Sequence, residues 1–174
     1  MKDPDVPVDS QKFSDAMDVL SYWRFSHETP LAEAARILEG ASLENDRKAI
    51  FARRLKRAVS IFRKLHRYEN MSLKTMQDIG GCRAVLTNEK KLRQTVRTLK
   101  KRSEFRDGEG RFKYKDYIDN PKEDGYRSYH LVGKFRDAEG STKNIELQLR
   151  TRIQHYWATA LEIVDLFTGQ ALKS

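Results

Sequence analysis

Apolar positions fall into helical spacing over the first part of the chain and into short runs and alternation after residue 70. Between Asp9 and Tyr22, Phe13, Met17 and Leu20 recur at helical spacing, a weak periodicity. Pro30 opens a second helix, Leu31 to Leu38, with Thr29 as its cap and Gly40 as its stop. From Ser42 to about Tyr68, Ile50, Phe51, Leu55, Val59, Phe62 and Leu65 predict one long helix, with Arg54, Lys56, Ser60, Arg63, Lys64 and Arg67 largely outside its apolar stripe. Leu73 to Ile79 then leads through Gly80-Gly81 into the β-type run CRAVL. Glu89 to Lys101 reads as a helix with Leu92, Val96 and Leu99 inward, and Ser103 to Gly125 as an exposed, mobile loop. Tyr126 to Phe135 is a strand, Asp137 to Gly140 a hairpin turn, and Ile145 to Arg150 the return strand. Gln154 to Phe167 closes the chain as a helix with Trp157, Leu161 and Val164 on one side. Helices flanking a mixed β-sheet make an α/β (α+β) domain.

The 174 residues suffice for one domain with a real core, and 39% apolar with 34% charged residues describes a globular chain, not a disordered one. No apolar run approaches the ~20 residues of a membrane span. The first fifteen residues mix acids and prolines and do not form a secretory signal. A lone cysteine, Cys82, excludes an internal disulfide and fits a reducing cytoplasm. The net charge of +9 is clustered: nine Lys/Arg and no acid from Arg47 to Arg67, and eight Lys/Arg against Glu104 from Lys90 to Arg106. Such clusters attract nucleic acid, nucleotide phosphates or an acidic partner, or merely solubilise.

Alternation along the last two strands places Ile145, Leu147 and Leu149 in a core and Glu146, Gln148 and Arg150 on the other face. Tyr126, Ser128 and His130 share a face by the same rule. If the hairpin pairs, one sheet face carries Tyr, Ser, His, Glu, Gln and Arg together, which is a site or else an ordinary polar surface. Asp78, just ahead of Gly80-Gly81, is a turn residue or, with Glu146, a Mg²⁺ ligand, because Mg²⁺ takes one or two carboxylates plus phosphate oxygens. Lys56, Ser60 and Lys64 at i, i+4 and i+8 would lie along one side of the long helix, able to hold a triphosphate or else forming a solvated basic face.

Four segments carry a resemblance: RLKRAVSIFRK, MQDIGGCRAVL, KDYIDNPKEDGYRSYH and IELQLRT, running in order from Arg54 to about His155. In that order and spacing the chain resembles the synthetase domain of the RelA/SpoT family. Its tail, QHYWATALEIVDLFTGQALKS, is similar to toxic small alarmone synthetases of toxin–antitoxin and phage-defence systems. The resemblance implies a nucleotidyltransferase-like fold and an ATP-dependent pyrophosphokinase that moves the β,γ-pyrophosphate of ATP to a ribose 3′-hydroxyl and releases AMP. It implies that Arg54, Lys56, Ser60 and Lys64 bind ATP, with Arg54 also near adenine. Asp78 and Glu146 would be catalytic and hold Mg²⁺, and Glu146 would take the proton of the attacking hydroxyl. Lys115, Lys122, Tyr126, His130, Gln148 and Arg150 would bind the acceptor, with Tyr126 stacked on its base.

The acceptor expected from the tail and the basic stretches is the 3′-CCA end of tRNA, which would make the chain a toxin that inhibits translation. The alternative is synthesis of (p)ppGpp or (p)ppApp from GDP/GTP or adenosine nucleotides, and a rival of another class is a non-catalytic nucleic-acid-binding domain. A different nucleotidyltransferase, transferring NMP, would need a G-S and D-x-D signature that this sequence lacks. Only His27 and His66 precede the synthetase motifs, and neither forms the HD pair of the family's hydrolase module. The expected organisation is an N-terminal helical segment, 1–40, and a synthetase domain, 41–174, cut at its C-terminus from a longer protein. The missing part would be an antitoxin-like, sensing or oligomerising module.

Overall fold

The computed structural model describes residues 10–168. Its order is α1 (Ser10–Phe25), α2 (Glu28–Leu43), β1 (Ile50–Leu55), α3 (Ala58–Arg67), β2 (Gly80–Leu86), α4 (Glu89–Leu99), β3 (Tyr114–Asp116), β4 (Tyr129–Arg136), β5 (Thr142–Thr151) and α5 (Arg152–Thr168). The strands form one mixed sheet in the order β1-β2-β5-β4-β3, with β2 and β5 parallel and every other pair antiparallel. This is the mixed sheet flanked by helices that the sequence predicts. No helix among the described residues is long and apolar enough to cross a membrane.

One sheet face is the core. Cys82, Ala84 and Leu86 of β2, Leu131 and Phe135 of β4, and Ile145, Leu147 and Leu149 of β5 pack against Leu31, Ala34 and Leu38 of α2 and Leu92, Val96 and Leu99 of α4. At Gly80 the packing is close: a Cβ would stand 2.6 Å from Ile145 Cδ1, so that side chain would have to move. A smaller cluster of Leu20, Ile61, Met76 and Ile79 ties α1 and α3 to the turn ahead of β2. Asp46, 1% exposed, joins the end of α2 to the far end of β2 by accepting from Thr87 N and Oγ1 and from Lys91 Nζ.

Several expectations are corrected. The helix expected from Ser42 to Tyr68 is strand β1 followed by the shorter α3. Its apolar stripe is not a buried face: Ile50, Val59 and Phe62 are exposed and Ile61 is the inward residue. Edge strand β1 exists because β2 offers a free antiparallel edge, which outweighs local helical spacing. Helix α2 begins at Glu28 without a side-chain cap from Thr29 and runs through Gly40 to Leu43, so Gly40 is not its stop. The loop from 103 to 125 holds a 3-10 turn at Ser103–Phe105 with Phe105 buried, and strand β3. Strand β4 starts at Tyr129, not at Tyr126. On α5 it is Ala158 that is buried, whereas Trp157 and Val164 are exposed. Asp9 and Ala171 to Ser174 lie outside the described residues.

Candidate active site

The sheet face opposite the core carries the polar residues, and strand register fixes their rows. Arg54 of β1 pairs with Gly81 of β2, Gly81 with Glu146 of β5, and Glu146 with Val132 of β4. The next row runs through Arg83, Gln148, His130 and Lys115. These rows floor a cleft of about 770 Å³ that is walled by α3 on one side and by the segment from Lys113 to Tyr126 on the other. Every residue expected at the site lines it: Arg54, Lys56, Ser60, Lys64 and Asp78 on the α3 side, Lys115, Lys122, Tyr126 and His130 on the other, and Glu146, Gln148 and Arg150 between.

Lys56, Ser60 and Lys64 do not share one helix as expected, because Lys56 sits in the link between β1 and α3. Lys56 N donates to Ile79 O at 2.7 Å, extending the sheet pairing by one residue and fixing where its side chain leaves the backbone. The convergence survives: Lys56 Nζ and Lys64 Nζ each lie 2.9 Å from a different oxygen of Asp78. Burial raises the pKa of Asp78, but the hydrogen bonds and charges of Lys64 and Lys56 outweigh it and hold the carboxyl below its ordinary value.

Glu146 is also kept ionised. Burial pushes its pKa up, while the hydrogen bond and charge of His130 and the amide of Gln148 bring it net below the usual carboxylate range. His130 Nδ1 is 3.0 Å from Oε1, and Gln148 Nε2 donates to Oε2 at 2.7 Å. The nearby charge of Asp78 raises the Glu146 pKa as a smaller effect, so the two carboxylates feel each other. At Gly81, beside Glu146, a Cβ would meet nothing closer than Glu146 O at 3.7 Å, so the floor there is open. Two ionised carboxylates in a cation-lined cleft suit Mg²⁺, which completes its shell with water and phosphate oxygens. Among the described residues there is no group of three or more His, Cys, Asp or Glu suited to a metal.

The far wall is built by local turns. Asp116 accepts from the backbone of Ile118 and Asp119 and from the guanidinium of Arg93, which fixes the loop after β3. Gly125 has φ +75, a conformation that favours glycine, and Asp124 Oδ1 accepts from Tyr126 N at 2.8 Å. Two side chains depart from expectation. Ser128 is fully buried and donates to Leu149 O, so it is not on the site face. Tyr126 is only 4% exposed. Sequence reasoning missed Arg83, whose Nε and Nη2 reach Gln148 Oε1 at 3.2 and 3.0 Å, and Glu162 of α5, which borders the cleft. For Arg83 the signal was present: it is the one charge in an otherwise apolar strand.

Residues 53–163 match the region found in RelA / SpoT proteins. The chain belongs to the RelA/SpoT family. It is 36% identical over 90 residues to the GTP pyrophosphokinase YjbM of Bacillus subtilis (strain 168), a match covering 50% of this chain and 41% of that protein. The chain thus spans less than half the length of that relative in the matched region. Its structure is similar to that of small alarmone synthetase 1 from Bacillus subtilis, with TM-score 0.74, 26% identity, and coverage of 88% of this chain and 82% of that one. The same synthetase bound to its product pppGpp gives TM-score 0.72 at 26% identity, covering 86% and 81%. A GTP pyrophosphokinase family protein from Streptococcus pneumoniae gives 0.69 at 25% identity, covering 92% and 78%.

Proposed function

We propose that this chain is an ATP-dependent pyrophosphokinase whose acceptor is the 3′-hydroxyl of GDP or GTP, yielding (p)ppGpp. The observation that carries this reading is the pair of ionised carboxylates, Asp78 and Glu146, in a cleft of about 770 Å³ rimmed by Lys56, Lys64 and Arg54 on one side and Lys115 and Lys122 on the other. Phosphoryl-type transfer needs mainly positioning and charge neutralisation, and this arrangement offers both.

In the proposed reaction, Lys56 and Lys64 exchange Asp78 for the phosphates of ATP, with Arg54 and Ser60 beside them. The 3′-oxygen of the acceptor attacks the β-phosphorus. The bond from that phosphorus to the α,β-bridging oxygen breaks, AMP leaves with the electron pair, and Glu146 accepts the hydroxyl proton. Asp78 and Glu146 would hold a Mg²⁺ that neutralises charge on the phosphates. Lys115 and Lys122 would hold the acceptor's phosphates.

The acceptor differs from the tRNA end favoured by the tail and charge runs. The relative at 36% identity is named a GTP pyrophosphokinase, and a similar structure holds pppGpp. Arg54, Lys56, Arg63, Lys64 and Arg67, five of the nine basic residues from Arg47 to Arg67, line the cleft itself, where a nucleotide's phosphates would use them, which weakens the argument for a long polyanion. A toxic role and an antitoxin partner gain no support from either similarity.

The test is transfer from γ-labelled ATP in a mixture of GDP, GTP, AMP and bulk tRNA. Label on guanosine nucleotides, lost in Glu146→Ala, is the expected result. Label on tRNA or AMP alone would replace the acceptor, label arriving only from α-labelled ATP would indicate nucleotidyl transfer, and no transfer with intact nucleic-acid binding in Glu146→Ala would leave a binding module.

A further inference from the structure

The family resemblance gives Tyr126 a stacking role through its ring. The hydroxyl of the same residue occupies a defined place in the site. It lies 2.6 Å from Arg150 Nη2 and 2.9 Å from His130 Nε2. The other nitrogen of His130, Nδ1, is 3.0 Å from Glu146 Oε1. Arg150 is 1% exposed, has its guanidinium 4.8 Å from the centre of the Tyr126 ring, and also reaches Gln148 Oε1 at 3.4 Å.

Directions follow from the inventory of donors. A guanidinium only donates, so the phenol oxygen accepts from Arg150, which leaves the phenol proton for Nε2 whenever the imidazole of His130 is neutral. A carboxylate only accepts, so Nδ1 carries the imidazole proton and points it at Glu146. The second oxygen of Glu146 is held by Gln148 Nε2 at 2.7 Å, and the carbonyl of that amide is held in turn by Arg83. Both oxygens of the carboxylate are therefore oriented by chains that run back to a buried or half-buried arginine.

We propose that the Tyr126 hydroxyl, anchored by Arg150, is a positioning element for Glu146: through His130 Nε2 it fixes the imidazole tautomer and the orientation of the carboxylate that takes the acceptor's proton. The inference rests on the function proposed above for its catalytic consequence, and on geometry alone for the hydrogen-bond chain. It separates the hydroxyl of Tyr126 from its ring, because only the hydroxyl can hold His130.

Tyr126→Phe keeps the ring and removes the hydroxyl. In steady-state transfer from ATP to GDP or GTP, kcat should fall by about 10- to 100-fold, the usual cost of losing such an outer hydrogen-bond partner, with the KM of the acceptor unchanged. In a His130→Ala background the same substitution should cost nothing further, since the two act in series. Unchanged kcat, a raised KM alone, or an equal loss in both backgrounds overturns the proposal. A second measurement does not depend on turnover. Long-range proton–nitrogen NMR correlations of the histidine rings, with His130 assigned by His130→Asn, should show the Nδ1–H tautomer in the unsubstituted protein and a moved Nε2 resonance in Tyr126→Phe. An Nε2–H tautomer, or an Nε2 resonance that does not move, overturns the hydrogen-bond chain. Absence of all transfer by the unsubstituted protein would instead refute the pyrophosphokinase reading and leave the NMR result to decide the chain.

Discussion

Replacing Asp78 by Asn separates its two roles, because the swap keeps shape and removes charge. Both ammonium groups of Lys56 and Lys64 are committed to this carboxylate at 2.9 Å, with side chains 18% and 29% exposed against 22% for Asp78. Phosphates that take these lysines must first displace Asp78. A charge-assisted hydrogen bond contributes about 1.5–3 kcal/mol when shielded, and partial solvent access brings each of these nearer 1 kcal/mol or below. Asn keeps one acceptor oxygen, so one bond is lost and the other is reduced to a neutral acceptor, which should tighten ATP binding by roughly 1 kcal/mol, or about 5-fold at 1.4 kcal/mol per tenfold. The assay is calorimetric titration of ATP in EDTA, where no metal contributes. With Mg²⁺ present the same protein should lose on the order of 10²-fold or more in pyrophosphate transfer, since the carboxylate proposed to hold the metal is gone. Weaker ATP binding in EDTA would refute the reasoning, because it would mean that Asp78 orders the lysines for ATP and does not compete with it.

Further outcomes concern the frame that holds the site. Asp46→Ala should lower stability by about 3 kcal/mol and Tm by about 6–12 °C in a thermal melt, because buried donors from Thr87 lose their acceptor and Lys91 its counter-charge. Burial opposes ionisation of Asp46, yet the bonds from Thr87, Lys91 and Lys48 depress its pKa in the folded state. Its contribution is therefore complete above the unfolded value of about 3.9 and is lost as pH falls from there toward the folded value, so the variant and the original should converge in stability in acid. Gly125→Ala places a side chain at φ +75, with Trp157 Nε1 3.6 Å from the new Cβ, and should cost about 1–2 kcal/mol in urea unfolding. An unchanged midpoint would show that the turn relaxes freely.

Alternation made β5 legible: Ile145, Leu147 and Leu149 are buried, while Glu146 and Gln148 face the cleft. Asp78 and Glu146 could be named through the segments MQDIGGCRAVL and IELQLRT and the resemblance that these carry, since Asp78 by itself reads equally as a turn residue. Strand β1 was not legible, since Ile50 to Leu55 is half-exposed at an edge and its apolar spacing fits a helix as well. Its partner on β2 lies about thirty residues on in the ladder and leaves no local trace. Ser128 was misplaced because the stretch before Tyr129 is not yet a strand, so alternation does not hold there. Arg83 sits inside an apolar run that reads as core, although a lone charge there signals a polar partner across the sheet, here Gln148.

The parallel pairing of β2 with β5 joins residues 65 positions apart, Arg83 with Gln148 among them, and every segment from α4 to the β4–β5 hairpin lies between. Closing so long a loop is slow and comes late in folding. During synthesis the half from Arg54 to Asp78 leaves the ribosome well before the strand that bears Glu146. An incomplete chain ending short of Thr142 would hold the cations and Asp78 but neither Glu146 nor the sheet centre that aligns the two halves. With the transfer proposed above, onset of chemistry is therefore timed by the last strand, and unfinished copies remain silent.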